Sequence, residues 1–85
     1  MIDPIFLCQE LIRCPSITPN DAGCLDIIEQ HLKSLGFVCY RLPFGQGDPL
    51  AADNLYARWG QKGPNFCFAG HTDVVPVGDL SRWTV

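Results

Sequence analysis

Phe66-Cys67-Phe68-Ala69 is the stretch that most limits what this chain can fold into. It has no polar residue and no period-2 alternation. Such a run suits a strand covered on both faces, the centre of a layered sheet. A central strand needs neighbours on both edges and packing above and below. The rest of the sequence decides how much of that is present.

Upstream lie two amphipathic segments. Asp3 followed by Pro4 is a helix start, an N-cap acceptor with proline at the first helical position. Ile5, Leu7, Cys8, Leu11 and Ile12 recur at helical spacing, and Pro15 pushes Cys14 toward extended geometry. The pattern predicts a helix from Pro4 to Arg13. Pro15 to Gly23 is a loop rich in turn formers, in which Asn20 or Asp21 can cap the next helix. Leu25, Ile28, Leu32 and Leu35 form the apolar face of that second helix, and Gly36 fits the left-handed residue that closes it.

Three stretches then carry strand character. Phe37–Phe44 is apolar and aromatic, with Pro43 marking its end or a sheet edge. Asn54–Trp59 alternates Leu55, Ala57 and Trp59 against Asn54, Tyr56 and Arg58, a half-exposed strand. Phe66–Ala69 is the third, and the short link at Gly60–Gly63 suits antiparallel neighbours. The fold class is α/β: two N-terminal helices, then three strands of a mixed sheet. Two helices cover one face of such a sheet only. The pattern is that of the opening piece of a larger α/β domain. Phe37, Tyr40, Phe66 and Phe68 are expected in the core.

Composition narrows the class. The chain has 85 residues, a net charge of −3 and 47% apolar residues. It fits one small domain at most, with an apolar fraction too high for disorder. The acidic balance supports neither a nucleic-acid nor an anionic-membrane partner. Apolar runs reach four residues, against roughly 20 for a membrane span. The start, Met-Ile-Asp-Pro, lacks the basic and apolar regions of a signal peptide, so a cytoplasmic location is expected. Five cysteines, Cys8, Cys14, Cys24, Cys39 and Cys67, contain no C-x-x-C pair and read as reduced thiols used as small apolar residues.

Just past the apolar run stand His71 and Asp73. In extended chain, residues i and i+2 point to one side, roughly 6.5–7 Å apart. The carboxyl ends of strands are where sites in open α/β sheets collect. Imidazole is a good zinc ligand, and a metal-bound histidine usually donates its other N–H to a carboxylate or carbonyl, here Asp73. By itself, H-x-D reads first as a structural pair, and a catalytic zinc needs about three protein ligands. His31, the other histidine, reads as a surface or boundary residue of the second helix. Ser16 and Thr18, bracketed by Pro15 and Pro19, read as loop and helix-cap residues. Asp79 and Arg82 read as a local turn pair.

The longer string Phe68–Asp79, "FAGHTDVVPVGD", resembles the first metal-binding motif of a di-zinc metallopeptidase family that includes the aminoacylases and glutamate carboxypeptidases. Its G-H-x-D-x-V-P pattern is specific when it follows an apolar strand. Gln9–Cys24, Leu35–Gly45, "DNLYARWG" and "GDLSRW" are similar to the desuccinylase branch of that family. The resemblance covers nearly the whole chain. It implies the opening part of a three-layer catalytic domain, with the smaller dimerisation domain absent. It further implies two zinc ions per full active site, with cobalt as a substitute, and a homodimeric parent. His71 would ligate one zinc. Asp73, assigned to the catalytic set, would orient and tune it.

The implied reaction of the full-length parent is hydrolysis of N-succinyl-LL-2,6-diaminopimelate to succinate and LL-diaminopimelate. The family's bridging aspartate, general-base glutamate and remaining ligands have no counterpart in these 85 residues, so the chain alone is expected to be inactive. Two other readings stand beside this one. The parent could act on acetylornithine or another N-acyl amino acid, since the first metal motif is shared. The chain could also be a non-catalytic binding or assembly module.

Overall fold

The computed structural model describes residues 2–84. It holds α1 (Pro4–Arg13), α2 (Cys24–Ser34), β1 (Val38–Arg41) and β2 (Leu55–Arg58), followed by a 3₁₀ turn at Leu80–Arg82. The architecture is a small α/β arrangement, two helices and a two-stranded antiparallel sheet. Among the described residues, no helix is long and apolar enough to cross a membrane.

α1 has the bounds that its pattern predicts, and the Asp3 carboxylate accepts from the Ile5 amide at 2.9 Å. α2 starts at Cys24 behind Gly23, whose φ of 91° is left-handed. Asp21 is therefore not the N-cap residue, although its carboxylate accepts from the Leu25 amide at 3.2 Å. Asn20 instead closes a local turn onto the Ala22 amide at 3.1 Å. At the other end, Gly36 takes φ 93° and Phe37 N–H reaches back to Leu32 O at 3.0 Å. Gly36 N–H bonds Lys33 O as well, which completes a Schellman closure.

The Schellman turn feeds β1, which pairs with β2 in the register Val38↔Arg58 to Arg41↔Leu55. The ladder continues past Arg41 through Leu42 N–H to Asn54 O, and an isolated bridge joins Phe44 to Ala52. Pro43 falls between these two hydrogen-bonded positions, where an antiparallel ladder asks no donor of it. The hairpin thus closes through Gly45–Ala51, not through Gly60–Gly63.

α2 packs on both strands and on α1. Arg41 of β1 joins the sheet to the helix, bonding Asp26 at 2.6 Å and Glu29 at 3.4 Å on α2 and Asp53 before β2. Among the described residues the buried core is small: Cys24 and the hydroxyl-bearing Ser16, with Leu25 beside them.

The expected third strand is absent. Residues 64–70 carry no regular element. Phe66 and Phe68 are 84% and 90% exposed, and their rings contact each other edge-on at 5.0 Å. A strand requires a ladder partner, and among the described residues none lies beside them. The core expectation is also corrected for Tyr40, which is 52% exposed and stacks on Tyr56 on the outer face of the hairpin. Phe37 is half-buried.

Candidate metal-ligating dyad

The segment from His71 to Val74 is held by the loop after α1, not by the sheet. Ile17 and Val74 form a parallel bridge. Val74 N–H donates to Ser16 O at 2.9 Å, and Thr18 N–H donates to Val74 O at 3.0 Å. The buried Ser16 hydroxyl donates to Thr72 O at 2.8 Å. Pro15 turns the chain out of α1 and aims this strip at the 72–74 backbone.

This strip positions the dyad. His71 Nδ1 lies 2.9 Å from Asp73 Oδ1 and 3.0 Å from the Asp73 carbonyl oxygen. The other carboxylate oxygen, Oδ2, accepts from the Thr18 hydroxyl at 2.5 Å. The Thr18 hydroxyl, and after it the His71 ring, hold the Asp73 carboxyl below its ordinary range, against partial desolvation.

The geometry dictates the tautomer. A carbonyl and an ionised carboxylate only accept hydrogen bonds, so the proton between them and the ring belongs to Nδ1. In the neutral ring Nε2 then carries the lone pair, and it has no hydrogen-bond partner among the described residues. The His71 side chain is 82% exposed. A carboxylate-oriented imidazole with one available nitrogen is the arrangement in which histidine ligates a metal.

His71 and Asp73 are therefore brought together, as their spacing suggests. His31 stands apart, its Nε2 3.5 Å from Glu10 of α1, a link between the helices. Ser16 and Thr18 cap no helix; they bind the 72–74 segment. Asp79 pairs with Ser81 and not with Arg82: its Oδ1 accepts from the Ser81 amide at 3.0 Å and hydroxyl at 2.7 Å. All five cysteines are free. Burial, and then its neighbour Cys24, push the Cys14 thiol up from its ordinary range.

Beside His71 runs an open cleft of about 870 Å³ between the end of α1 and residues 71–83, with Ile12, Ile17, Val74 and Trp83 in its wall. Trp83 Nε1 bonds Val77 O at 3.1 Å and folds the last turn over one end.

The donor set does not complete a zinc site. Among the described residues, no group of three or more His, Cys, Asp or Glu side chains could hold a metal ion. Asp73 spends one oxygen on His71 and the other on Thr18. One imidazole nitrogen remains against the three protein ligands of a catalytic zinc.

No protein-family model matches the chain. Curated proteins do. A succinyl-diaminopimelate desuccinylase of Rhodospirillum centenum is 64% identical over 83 residues, 98% of this chain and 22% of that protein. The desuccinylase of Bradyrhizobium diazoefficiens is 52% identical over all 85 residues, again 22% of its own length. That of Caulobacter vibrioides is 57% identical over 83 residues and is covered for 20%. The chain spans about a fifth of the length of these relatives. Along nearly its whole length it is similar to succinyl-diaminopimelate desuccinylases, and it corresponds to that fifth of them.

Proposed function

We propose that this sequence forms part of the catalytic domain of a metal-dependent amidohydrolase that cleaves N-succinyl-LL-2,6-diaminopimelate to succinate and LL-diaminopimelate. In that reading it serves diaminopimelate and lysine biosynthesis. The whole catalytic domain is three-layered, with Phe66–Ala69 as an inner strand, and the protein is a homodimer with two zinc ions, or cobalt in their place, at each site. His71 is one ligand, through Nε2, and Asp73 orients it. The observation that carries the reading is the pair of acceptors on His71 Nδ1, which leaves Nε2 as a metal donor. The names of the relatives support the choice of substrate.

The chain's own part is limited and definite. It holds one imidazole in one tautomer at the edge of a cleft. With one imidazole nitrogen on offer, the 85 residues alone are expected to bind zinc weakly at best and not to turn over substrate. The substrate is tested by assaying the protein that carries this sequence with N-succinyl-LL-2,6-diaminopimelate and with N-acetylornithine. A kcat/KM preference of about 100-fold or more for the succinyl substrate is expected. A preference for acetylornithine overturns the choice of substrate, and hydrolysis of neither overturns the enzyme reading.

A further inference from the structure

Asp73 is half-exposed, and a half-exposed aspartate samples several side-chain directions unless something holds it. Only one of those directions puts Oδ1 on His71 Nδ1. The group that holds it is on the loop after α1, 55 residues away in sequence. We propose that Thr18 is a positioning residue: its hydroxyl fixes the Asp73 carboxylate and thereby keeps the His71 ring protonated at Nδ1 and unprotonated at Nε2. The proposal deepens the reading of His71 as a metal ligand, and rests on that reading only for what Nε2 binds.

Three features favour this role over simple loop packing. Thr18 is anchored independently of its hydroxyl, through its own amide to Val74 O and through the Ser16 carbonyl to the Val74 amide. The hydroxyl is therefore not needed to join the two segments. The hydroxyl oxygen lies nearer Asp73 Oδ2, at 2.5 Å, than the Val74 carbonyl oxygen, at 3.3 Å. A charge-assisted O–H bond of this kind is stronger than a neutral one. Threonine is also stiff at χ1, so an anchored backbone gives an anchored hydroxyl.

The test reads the ring directly. The chain contains two histidines, so ¹⁵N-histidine labelling gives two pairs of ring-nitrogen signals, and His71→Gln identifies one pair. Spectra are taken without metal, in the alkaline range where they no longer change with pH, so that the neutral ring is read. The wild-type ring is expected to carry its proton mainly on Nδ1. Thr18→Val keeps the amide anchor and should lower the Nδ1-to-Nε2 ratio about three- to tenfold. Thr18→Ser should stay within about twofold of wild type. Asp73→Ala should lower the ratio, and adding Thr18→Val to it should change nothing more, since the effect passes through Asp73. Exchange protection of the Val74 amide reports that the bridge is intact in each variant.

A wild-type proton on Nε2 overturns the proposal at its root. So does an unchanged ratio in Thr18→Val where Asp73→Ala shifts it. Loss of folding in both Thr18→Val and Thr18→Ala overturns it too, because Thr18 would then serve the fold and not the dyad. None of these outcomes touches the substrate assay, which stands or falls separately.

Discussion

Ser16 donates its hydroxyl to the carbonyl of Thr72 at 2.8 Å, across 56 positions of sequence. Ser16 is 2% exposed, so the donor end of the bond is shielded from water. It fixes the peptide that leads into Asp73. Ser16→Ala leaves the Thr72 carbonyl without this donor, and we expect a loss of about 1–2 kcal/mol of stability. Urea unfolding measures it, and a midpoint unchanged from wild type would show that the bond does not hold the segment.

Gly36 closes α2 at φ 93°. A Cβ there would sit 3.5 Å from Trp59 Nε1, an ordinary contact, so space is not the constraint. The backbone conformation is. Gly36→Ala should therefore cost about 1–2 kcal/mol through left-handed strain alone. Thermal unfolding checks this, and Gly36→Asn, a residue that tolerates the conformation, should lose less.

Glu29 and Lys33 lie at i and i+4 on α2, 2.6 Å apart. Lys33, and secondly Arg41, lower the Glu29 carboxyl, and Glu29 raises the Lys33 ammonium. For the lowered carboxyl, the unfolded chain binds more protons, so the contribution is complete above about pH 4.3 and is lost as pH falls through the folded value. For the raised ammonium the sign reverses: the contribution is complete below about pH 10.4 and is lost as pH rises beyond it. Glu29→Gln should flatten the stability profile at both ends. A wild-type acid slope retained in that variant would contradict the assignment.

In the proposed reading Asp73 tunes His71 through Nδ1 and does not itself touch metal. Replacing such a partner costs roughly 10–100-fold in metal affinity. Asp73→Ala in the protein that carries this sequence should weaken zinc by about that factor, measured by chelator competition. His71→Ala should remove the site's contribution entirely.

The helices were readable because their signals are local. Asp3-Pro4 and Gly36 act within a few residues, and the structure keeps the helix start and stop they mark. The hairpin was less so: Asn54–Trp59 alternates as a strand should, but its partner is chosen by tertiary contact, and it pairs backward to β1. Phe66–Ala69 shows the limit most plainly. An apolar run states the surroundings a segment would suit, and does not supply them. The H-x-D spacing put His71 and Asp73 on one side, yet Ser16 and Thr18 looked like loop residues. Their partners are 55 and 56 residues away, and such a contact leaves no periodic trace. The one usable signal was two hydroxyl residues bracketed by prolines, a loop too constrained to be a free linker.

The central claim is that His71 Nε2 is a metal ligand. Its most direct measurement is zinc per subunit, by elemental analysis after exhaustive dialysis, in the protein that carries this sequence and in its His71→Ala variant. We expect about two zinc ions in the wild type and the loss of about one in the variant, with hydrolysis of N-succinyl-LL-2,6-diaminopimelate reduced by at least about 100-fold. Full zinc content and undiminished hydrolysis in His71→Ala would contradict the account.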